Sequence, residues 1–590
     1  MLHILILAAG LGTRLKPLTD KIAKPLIPIV GESPLSRQVS LSKKLGADKI
    51  HANVHHLAEQ VQQAATELGV DKIWIESELL GTGGPIFRMW KDGERGELLV
   101  LNGDCEHDLD VAEFLKEARL RGNCALLALD NPKVNTLCLG NDKNLLGIMG
   151  KFGGENLESA GLESNVEHNV ERATFTGISW YSQDAWGKIA EDERDIRDFW
   201  QRLCEGGTPP YVCVASPPCA CGEGSVKYTR WIDVGSPSGL MEAVDYRLEF
   251  VGAKLGEGGL GEGGLGEGGF GEGGFTLAGT AGSGRTYYRM SEGKHSLILQ
   301  QSHENDIDFE RFVRYGKLFD DLDLPVPEIY AVDEVKKRVV MEDLGKVRLC
   351  DTENPLLYYP LILEKLIDWQ EASERAFSTD AELAGRVFDE KDYLWESNYF
   401  EENYLNSEES KENRVEFVGA SFKSALMPLK SIFADLAKQA AAQPKVLMHR
   451  DFQSQNIMVL NSPVSSALRA DRDMLITPQN RVKFIDFQGA RNGSIYYDVA
   501  SLLWDPYMML PKETVLQLFT VFHSANPLLK DIPFETAYND FLAASLQRLM
   551  QALGAYCFLS KKKGIKSFEK YIEPGAEQLK TVKALFSTLH

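Results

Sequence analysis

Residues 255–274 read LGEGG LGEGG LGEGG FGEGG, a five-residue unit repeated four times with a single Leu or Phe between successive Gly-Glu-Gly-Gly blocks. A tract with so little side chain to bury and so much backbone entropy to lose is costly to order. It reads as a flexible tether over 251–275. A docking strip that uses the spaced Leu and Phe is the alternative. The tether divides a chain of 590 residues, too long for one core when a domain takes about 100–200 residues. Residues 1–250 and 276–590 are therefore read as separate folding problems.

The half before the tether alternates apolar runs with helical patterns. Ile4–Ala8, Lys49–Val54, Lys72–Ile75, Leu98–Leu101 and Ala125–Leu129 read as buried strands, with helices over Ser36–Lys44 and Leu57–Leu68. Such strands separated by helices predict a doubly wound α/β domain with a mostly parallel sheet. Ligands on these sheets sit at the carboxyl ends of the strands. The half after the tether opens with strand patterns at Tyr287–Met290, Leu297–Gln300, Ile329–Val332 and Arg338–Met341, and turns helical after Leu356, as in Pro360–Ala376 and Val418–Ala442. A small β lobe to about residue 345 followed by a helical lobe predicts a bilobal, kinase-like α+β domain.

The charge balance excludes some functions. The formal net charge is −21, with 44% hydrophobic and 25% charged residues, which argues against a nucleic-acid-coating surface because phosphate backbones need clustered cations. No run of about 18 apolar residues suggests a membrane span. The short apolar start, Met1 to Gly10, reads as a buried strand and not as a signal peptide. The nine cysteines are scattered. Cys219-Ala-Cys221 lacks a second ligand pair at zinc spacing, so the thiols are expected to be free and the protein cytoplasmic.

In the first half, Leu7-Ala-Ala-Gly10-Leu-Gly12-Thr-Arg14 follows the first strand, and Lys24-Pro25-Leu26 comes soon after. Gly10 and Gly12 let backbone N–H groups approach a phosphate, Arg14 adds a forked cation and Lys24 a point charge. Leu15 stands where a dinucleotide fingerprint needs its third glycine. Val100-Leu-Asn-Gly-Asp104 and Trp231-Ile-Asp233-Val-Gly235 each put a carboxylate at the end of an apolar run. A lone Asp there usually caps a helix. Two beside a phosphate-cradling loop suit Mg²⁺, which takes one or two carboxylates plus substrate phosphates.

These motifs, with GTGG at 81–84 and FTGIS at 175–179, resemble the sugar-1-phosphate nucleotidyltransferase family over nearly all of residues 1–245. The resemblance implies that Gly10, Gly12 and Arg14 hold a nucleoside triphosphate, with Gly83 near the base and Lys24 on phosphate. It implies further that Asp104 and Asp233 hold Mg²⁺ while a sugar 1-phosphate attacks the α-phosphorus and expels pyrophosphate. Two departures bear on the sugar: Ala23 replaces the family's Pro before Lys24, and Met149-Gly-Lys151 stands where many members carry an acidic-Lys pair.

In the second half, Met448-His449-Arg450-Asp451-Phe-Gln-Ser-Gln-Asn456 has the spacing of a phosphotransferase catalytic loop. Asp451 can take the proton of an attacking hydroxyl, and Asn456 and the later Asp486 can hold Mg²⁺ on the ATP phosphates. His449 reads as structural support for the loop. The segment resembles the aminoglycoside phosphotransferase and choline kinase superfamily over about residues 275–560. Ile485–Tyr507 most resembles the bacterial anomeric kinases of N-acetylmuramate and N-acetylglucosamine. By that resemblance Gly282-Ser-Gly284-Arg285-Thr-Tyr-Tyr-Arg289 covers the nucleotide phosphates. Leu297-Ile-Leu-Gln300-Gln301 lacks the usual strand lysine, so Arg285 or Arg289 is the expected substitute. Glu310 is either its ion-pair partner or part of a solvated helix face. Tyr497-Asp498 is expected to anchor the helix that follows, and Trp395-Glu396 to line the acceptor site.

A kinase that makes a sugar 1-phosphate supplies the substrate of a sugar-1-phosphate nucleotidyltransferase. The resemblances together imply a bifunctional, ATP- and UTP-using enzyme of amino-sugar salvage, its partners small sugars and nucleotides. A choline kinase joined to a CTP:phosphocholine cytidylyltransferase is the alternative, since residues 357–404 are rich in aromatics.

Overall fold

The computed structural model describes residues 1–130, 136–148, 171–217, 226–252, 274–281, 284–406, 429–460 and 482–589. Residues 255–273 of the tandem repeat, Gly282, Met149-Gly-Lys151, Cys219 and Cys221, and the start of the helix expected at Val418 lie outside those residues. The chain forms two compact units, Met1–Asp306 with Tyr330–Glu342, and Ile307–Ile329 with Asp343–His590.

Among the described residues of the first unit, eleven strands precede the repeat: β1 (Leu2–Leu7), β2 (Lys49–Val54), β3 (Lys72–Ile75), β4 (Glu97–Asn102), β5 (Cys105–His107), β6 (Cys124–Leu129), β7 (Thr136–Leu139), β8 (Leu145–Ile148), β9 (Glu171–Tyr181), β10 (Tyr211–Ala215) and β11 (Trp231–Asp233). The main sheet runs β10-β6-β9-β4-β1-β2-β3, with the β7–β8 hairpin attached to β9. β1, β2, β3 and β4 pair in parallel, as do β6 and β10, while β9 runs antiparallel to both β4 and β6. The mostly parallel sheet is thus present, with one reversed strand inserted. Each β1 residue from Leu2 to Ile6 is buried, as expected where helices cover both faces. Ser33 caps the helix Pro34–Lys44 by accepting from the Ser36 amide, with Pro34 at its first position.

The same unit contains a five-stranded antiparallel sheet: β12 (Phe275–Thr280), β13 (Thr286–Glu292), β14 (His295–Gln301), β15 (Ile329–Asp333) and β16 (Arg338–Glu342), in the order β12-β13-β14-β16-β15. Phe275, Tyr288, Met290, Leu297, Leu299 and Val340 of this sheet share one buried core with Ile27, Ile29, Leu240 and Val244 of the N-terminal domain. Polar contacts rim that core. The Ser33 amide donates to Glu292 at 2.7 Å and the Ser36 hydroxyl also bonds to Glu292, while Asp245 receives both Lys336 at 2.6 Å and Arg338. This continuous apolar burial is why the compact units divide elsewhere than at the repeat.

The second unit is mainly helical, built around the helix Phe534–Cys557, most of which is buried. Two short antiparallel pairs complete it: β17 (Lys445–Met448) with β20 (Arg491–Ser494), and β18 (Ile457–Val459) with β19 (Val482–Phe484). The helical pattern read over Pro360–Ala376 is broken at Ala372 into Tyr359–Glu371 and Ser373–Thr379.

Arg285 lies at the start of β13 with a side chain 1% exposed, and donates to Asp306 through Nε at 2.7 Å and Nη2 at 3.1 Å. Removing one member of such a pair strands the other charge in a low-dielectric interior. Arg285→Ala is expected to lower the unfolding free energy by about 3–5 kcal/mol, measured by denaturant titration. Arg285→Met/Asp306→Leu should recover much of that loss.

Candidate functional sites

The carboxyl ends of β1 and β4 lie side by side, since Leu7 pairs with Asn102. Asp104 follows β4 directly, and β11 pairs with β5 so that Asp233 stands opposite Cys105. The fold therefore brings both sequence-predicted carboxylates to the loop that follows β1. Lys24 joins them: its Nζ is 2.6 Å from Asp104 and 3.4 Å from Asp233. Arg14 donates to the other Asp233 oxygen at 3.0 Å, and the Gly235 amide donates to Asp233 at 2.8 Å. Burial works against the Lys24 charge, but Asp104 and then Asp233 outweigh it and raise its pKa. For Asp233, burial is the largest influence, yet Lys24, the Gly235 amide and Arg14 hold its pKa below the ordinary range.

Two glycines make this approach possible. Gly12 adopts φ 63°, a left-handed conformation that costs glycine little. A Cβ on Gly235 would fall 2.5 Å from Lys24 Nζ and 2.6 Å from Arg14 Nη2. Gly10 has open space around it. The Gly83 amide, by contrast, donates to the Arg194 carbonyl at 2.7 Å and is engaged within the fold. Sequence reading missed two supports of the loop. Asn53, at the end region of β2, accepts from the Ala8 amide at 2.9 Å, and the Thr19 hydroxyl donates to the Gly12 carbonyl at 2.9 Å. A buried polar residue ending an apolar strand was the available signal for Asn53.

In the second unit, residues 449–456 connect β17 to β18, and Asp486 follows β19, the partner of β18. The Ile485 amide donates to the Asn456 carbonyl at 2.9 Å, so the loop and Asp486 are neighbours. Asn456 Nδ2 donates to the Asp451 carbonyl at 2.9 Å, bracing the turn. Asp486 sits at φ 66° and accepts from Gln488 at 2.6 Å. A Cβ on Gly489 would lie 3.6 Å from Asp451 Oδ2, placing the start of β20 against that carboxylate. His449 is wholly buried among Trp369, Phe452 and Phe484, and burial pushes its pKa down to about 4. It is a neutral support and not a base at physiological pH.

Two carboxylates that sequence reading undervalued hold this loop. Asp498 accepts from the amides of His449 at 2.7 Å and Arg450 at 2.9 Å, and Asp505 accepts from the Ser454 amide at 2.7 Å. Asp498 was expected to anchor its own helix; its bonds run to the loop instead, because the loop's amides are buried donors without sheet partners. Trp395 and Glu396 diverge. Trp395 is largely exposed and stacks on Tyr399, while Glu396 is buried and accepts from the Tyr497 hydroxyl at 2.9 Å. Glu310 is exposed, Arg289 lies within β13, and Gly284 adopts φ 80° beside His303. Because Arg285 is engaged with Asp306, Arg289 remains the phosphate-anchor candidate of that pair.

Fold and sites define the class of protein, a two-domain transferase that handles phosphates at each end. Residues 3–135 match the family model described as Nucleotidyl transferase, and residues 276–468 match that of the Phosphotransferase enzyme family. The chain carries a nucleotidyltransferase domain N-terminally and a kinase domain of the phosphotransferase family C-terminally, and is a bifunctional enzyme. Its C-terminal half is similar to the N-acetylmuramate/N-acetylglucosamine kinase of Pseudomonas aeruginosa, 26% identical over 313 residues, 50% of this chain and 82% of that one. Its N-terminal half is similar to the bifunctional protein GlmU of Methanococcus vannielii, 32% identical over 256 residues, 42% of this chain. The match spans 56% of that protein's length. A crystal structure of HddC from Yersinia pseudotuberculosis, 22% identical, aligns with 42% of this chain and all of its own at a TM-score of 0.33. Among the described residues, no helix is long and apolar enough to cross a membrane.

The carboxylates beneath the kinase loop set a pH dependence. Burial pushes Glu396 up to about 7, and does the same for Asp498 despite its two amide donors. Groups with raised folded pKa values contribute most stability at low pH and lose it as pH rises through about 7. Glu396→Gln keeps an acceptor for Tyr497 and removes one of these protons. Between pH 4 and 7.5 the wild type is expected to lose roughly 3 kcal/mol more stability than the variant, measured by denaturant unfolding across that range.

Proposed function

We propose that the chain makes a UDP-activated amino sugar in two steps, with its catalytic domains divided at the 251–275 tether. In the first, the anomeric hydroxyl of N-acetylmuramate or N-acetylglucosamine attacks the γ-phosphorus of ATP. The γ-phosphorus-to-oxygen bond breaks, ADP leaves with the electron pair, and Asp451 takes the hydroxyl proton. In the second, an oxygen of the sugar 1-phosphate attacks the α-phosphorus of UTP and pyrophosphate departs. The observation that carries this reading is the pairing in one chain of a half similar to an N-acetylmuramate/N-acetylglucosamine kinase with a nucleotidyltransferase domain. The product class of one is the substrate class of the other.

The placement of these residues supports a role for each. Gly10, Gly12 and Arg14 bind the triphosphate of UTP. Lys24 now bridges Asp104 and Asp233, so the two carboxylates already converge on a single cation and fit a divalent metal. Asp104 and Asp233 in one domain, and Asn456 and Asp486 in the other, would hold Mg²⁺, which when bound neutralises phosphate charge during transfer. Catalysis in both domains is then positioning and charge stabilisation. The pathway is salvage of peptidoglycan sugars in the cytoplasm.

Incubating the protein with ATP, Mg²⁺ and N-acetylmuramate, N-acetylglucosamine or choline, followed by UTP or CTP, tests the reading by product identification. Asp451→Asn should slow sugar phosphorylation by at least about 100-fold and leave uridylyl transfer to supplied sugar 1-phosphate intact. Asp104→Asn should do the reverse. Phosphorylation of choline and of neither amino sugar would overturn the assignment.

A further inference from the structure

Next to Asp451 the second unit gathers the guanidiniums of Arg450, Arg491 and Arg386. Arg491 opens β20 opposite Met448 of β17, one residue before the loop that carries Arg450 and Asp451. Both guanidiniums lie over the buried ring of Phe388, Arg450 with Cζ at 5.8 Å from its centroid and Arg491 at 5.5 Å. Phe388 is fixed beneath them by its amide, which donates to the Asn492 carbonyl at 2.8 Å. Each arginine side chain is about a quarter exposed.

Their partners are weak. Arg450 makes no close ion pair with Glu396, which lies at 4.0 Å and already accepts from Tyr497; burial works against its charge, but Asp451 and then Glu396 outweigh it and raise its pKa. Arg491 has Asp392 at 3.5 Å, but Asp392 is also tied into the capping box of its helix through the Asp389 amide. Arg491 Nε is buried with no hydrogen-bond partner in the structure. A third guanidinium, Arg386, lies close by and donates to the carbonyls of Gln488 and Ala490. Burial, and next Arg450 and Arg386, pull the Arg491 pKa down from its ordinary value. Guanidiniums crowded together in a partly desolvated place are stabilised by an anion that both can reach.

We infer that Arg450 and Arg491 bind a carboxylate on the acceptor sugar, making the kinase site selective for an acidic amino sugar over a neutral one. The inference rests on the sugar-kinase reading above and deepens it. N-acetylmuramate carries a lactyl carboxylate; N-acetylglucosamine has a hydroxyl in its place. With the carboxylate seated on this pair, the sugar is tethered beside Asp451 by a charge-assisted contact that the neutral sugar cannot make. A site that depends on such a contact discriminates strongly against an acceptor that lacks it, because its buried donors are left unpaired.

The test uses the full-length protein and follows ADP release with each sugar. The wild type is expected to favour N-acetylmuramate in kcat/KM. Arg491→Met should reduce the N-acetylmuramate to N-acetylglucosamine ratio roughly 10- to 100-fold, mainly through the KM for N-acetylmuramate, and Arg491→Lys should restore part of it. A melting curve and the uridylyl-transfer activity of each variant confirm folding. An Arg491→Met enzyme that loses activity equally on both sugars, or that only raises the KM for ATP, would overturn the inference while leaving the kinase reading in place. A wild type that phosphorylates neither sugar would overturn both.

Discussion

The kinase half depends on buried carboxylates meeting the backbone of a single loop. Asp498 takes the amides of His449 and Arg450, and Asp505 takes that of Ser454, so Asp451 sits on a stretch pinned on both sides. The loop joins strands from two different small sheets, so its amides have no ladder to enter. Each would cost a few kcal/mol if buried unpaired. The two carboxylates meet that need, and in doing so they hold Arg450 at φ 80°. That unusual backbone presents Arg450 and Asp451 side by side.

The nucleotidyltransferase half meets the opposite problem with the opposite charge. There the carboxylates Asp104 and Asp233 are the groups to be brought together, and their mutual repulsion is relieved by Lys24, itself almost buried. A cation between two acids makes the closed arrangement stable before any substrate arrives. In both halves preorganisation is built from buried ionic groups, and the reacting atoms are left to the substrates.

Much of this was legible in the sequence where one residue type has one cheap explanation. Apolar runs located β1, β2, β3, β4 and β6, and the spacing from Asp451 to Asn456 marked the loop between β17 and β18. What stayed hidden was relational. An apolar run does not disclose its direction, so the reversed strand β9 was recognised only as the FTGIS motif. Asp498 and Asp505 lie in Tyr497-Asp-Val-Ala-Ser-Leu-Leu-Trp-Asp505, where their partners, backbone amides about 50 residues earlier, leave no mark in composition. Arg285 looked like a phosphate anchor because its buried partner, Asp306, is 21 residues away in sequence.

The division into compact units shows the same limit from another side. The repeat marks a boundary in sequence chemistry, whereas the burial of Phe275, Tyr288 and Leu299 against the N-terminal domain sets the boundary in packing. Apolar contact carries no address, so nothing in β12 to β16 distinguishes residues facing their own helices from residues facing another domain. The consequence is physical. The sheet β12 to β16 shares a core with the nucleotidyltransferase domain and is tied to it through Glu292 and Asp245, so it belongs to that domain in packing. Lys21, three residues before Lys24, adds a third tie, its Nζ lying 3.4 Å from Glu342 of that sheet.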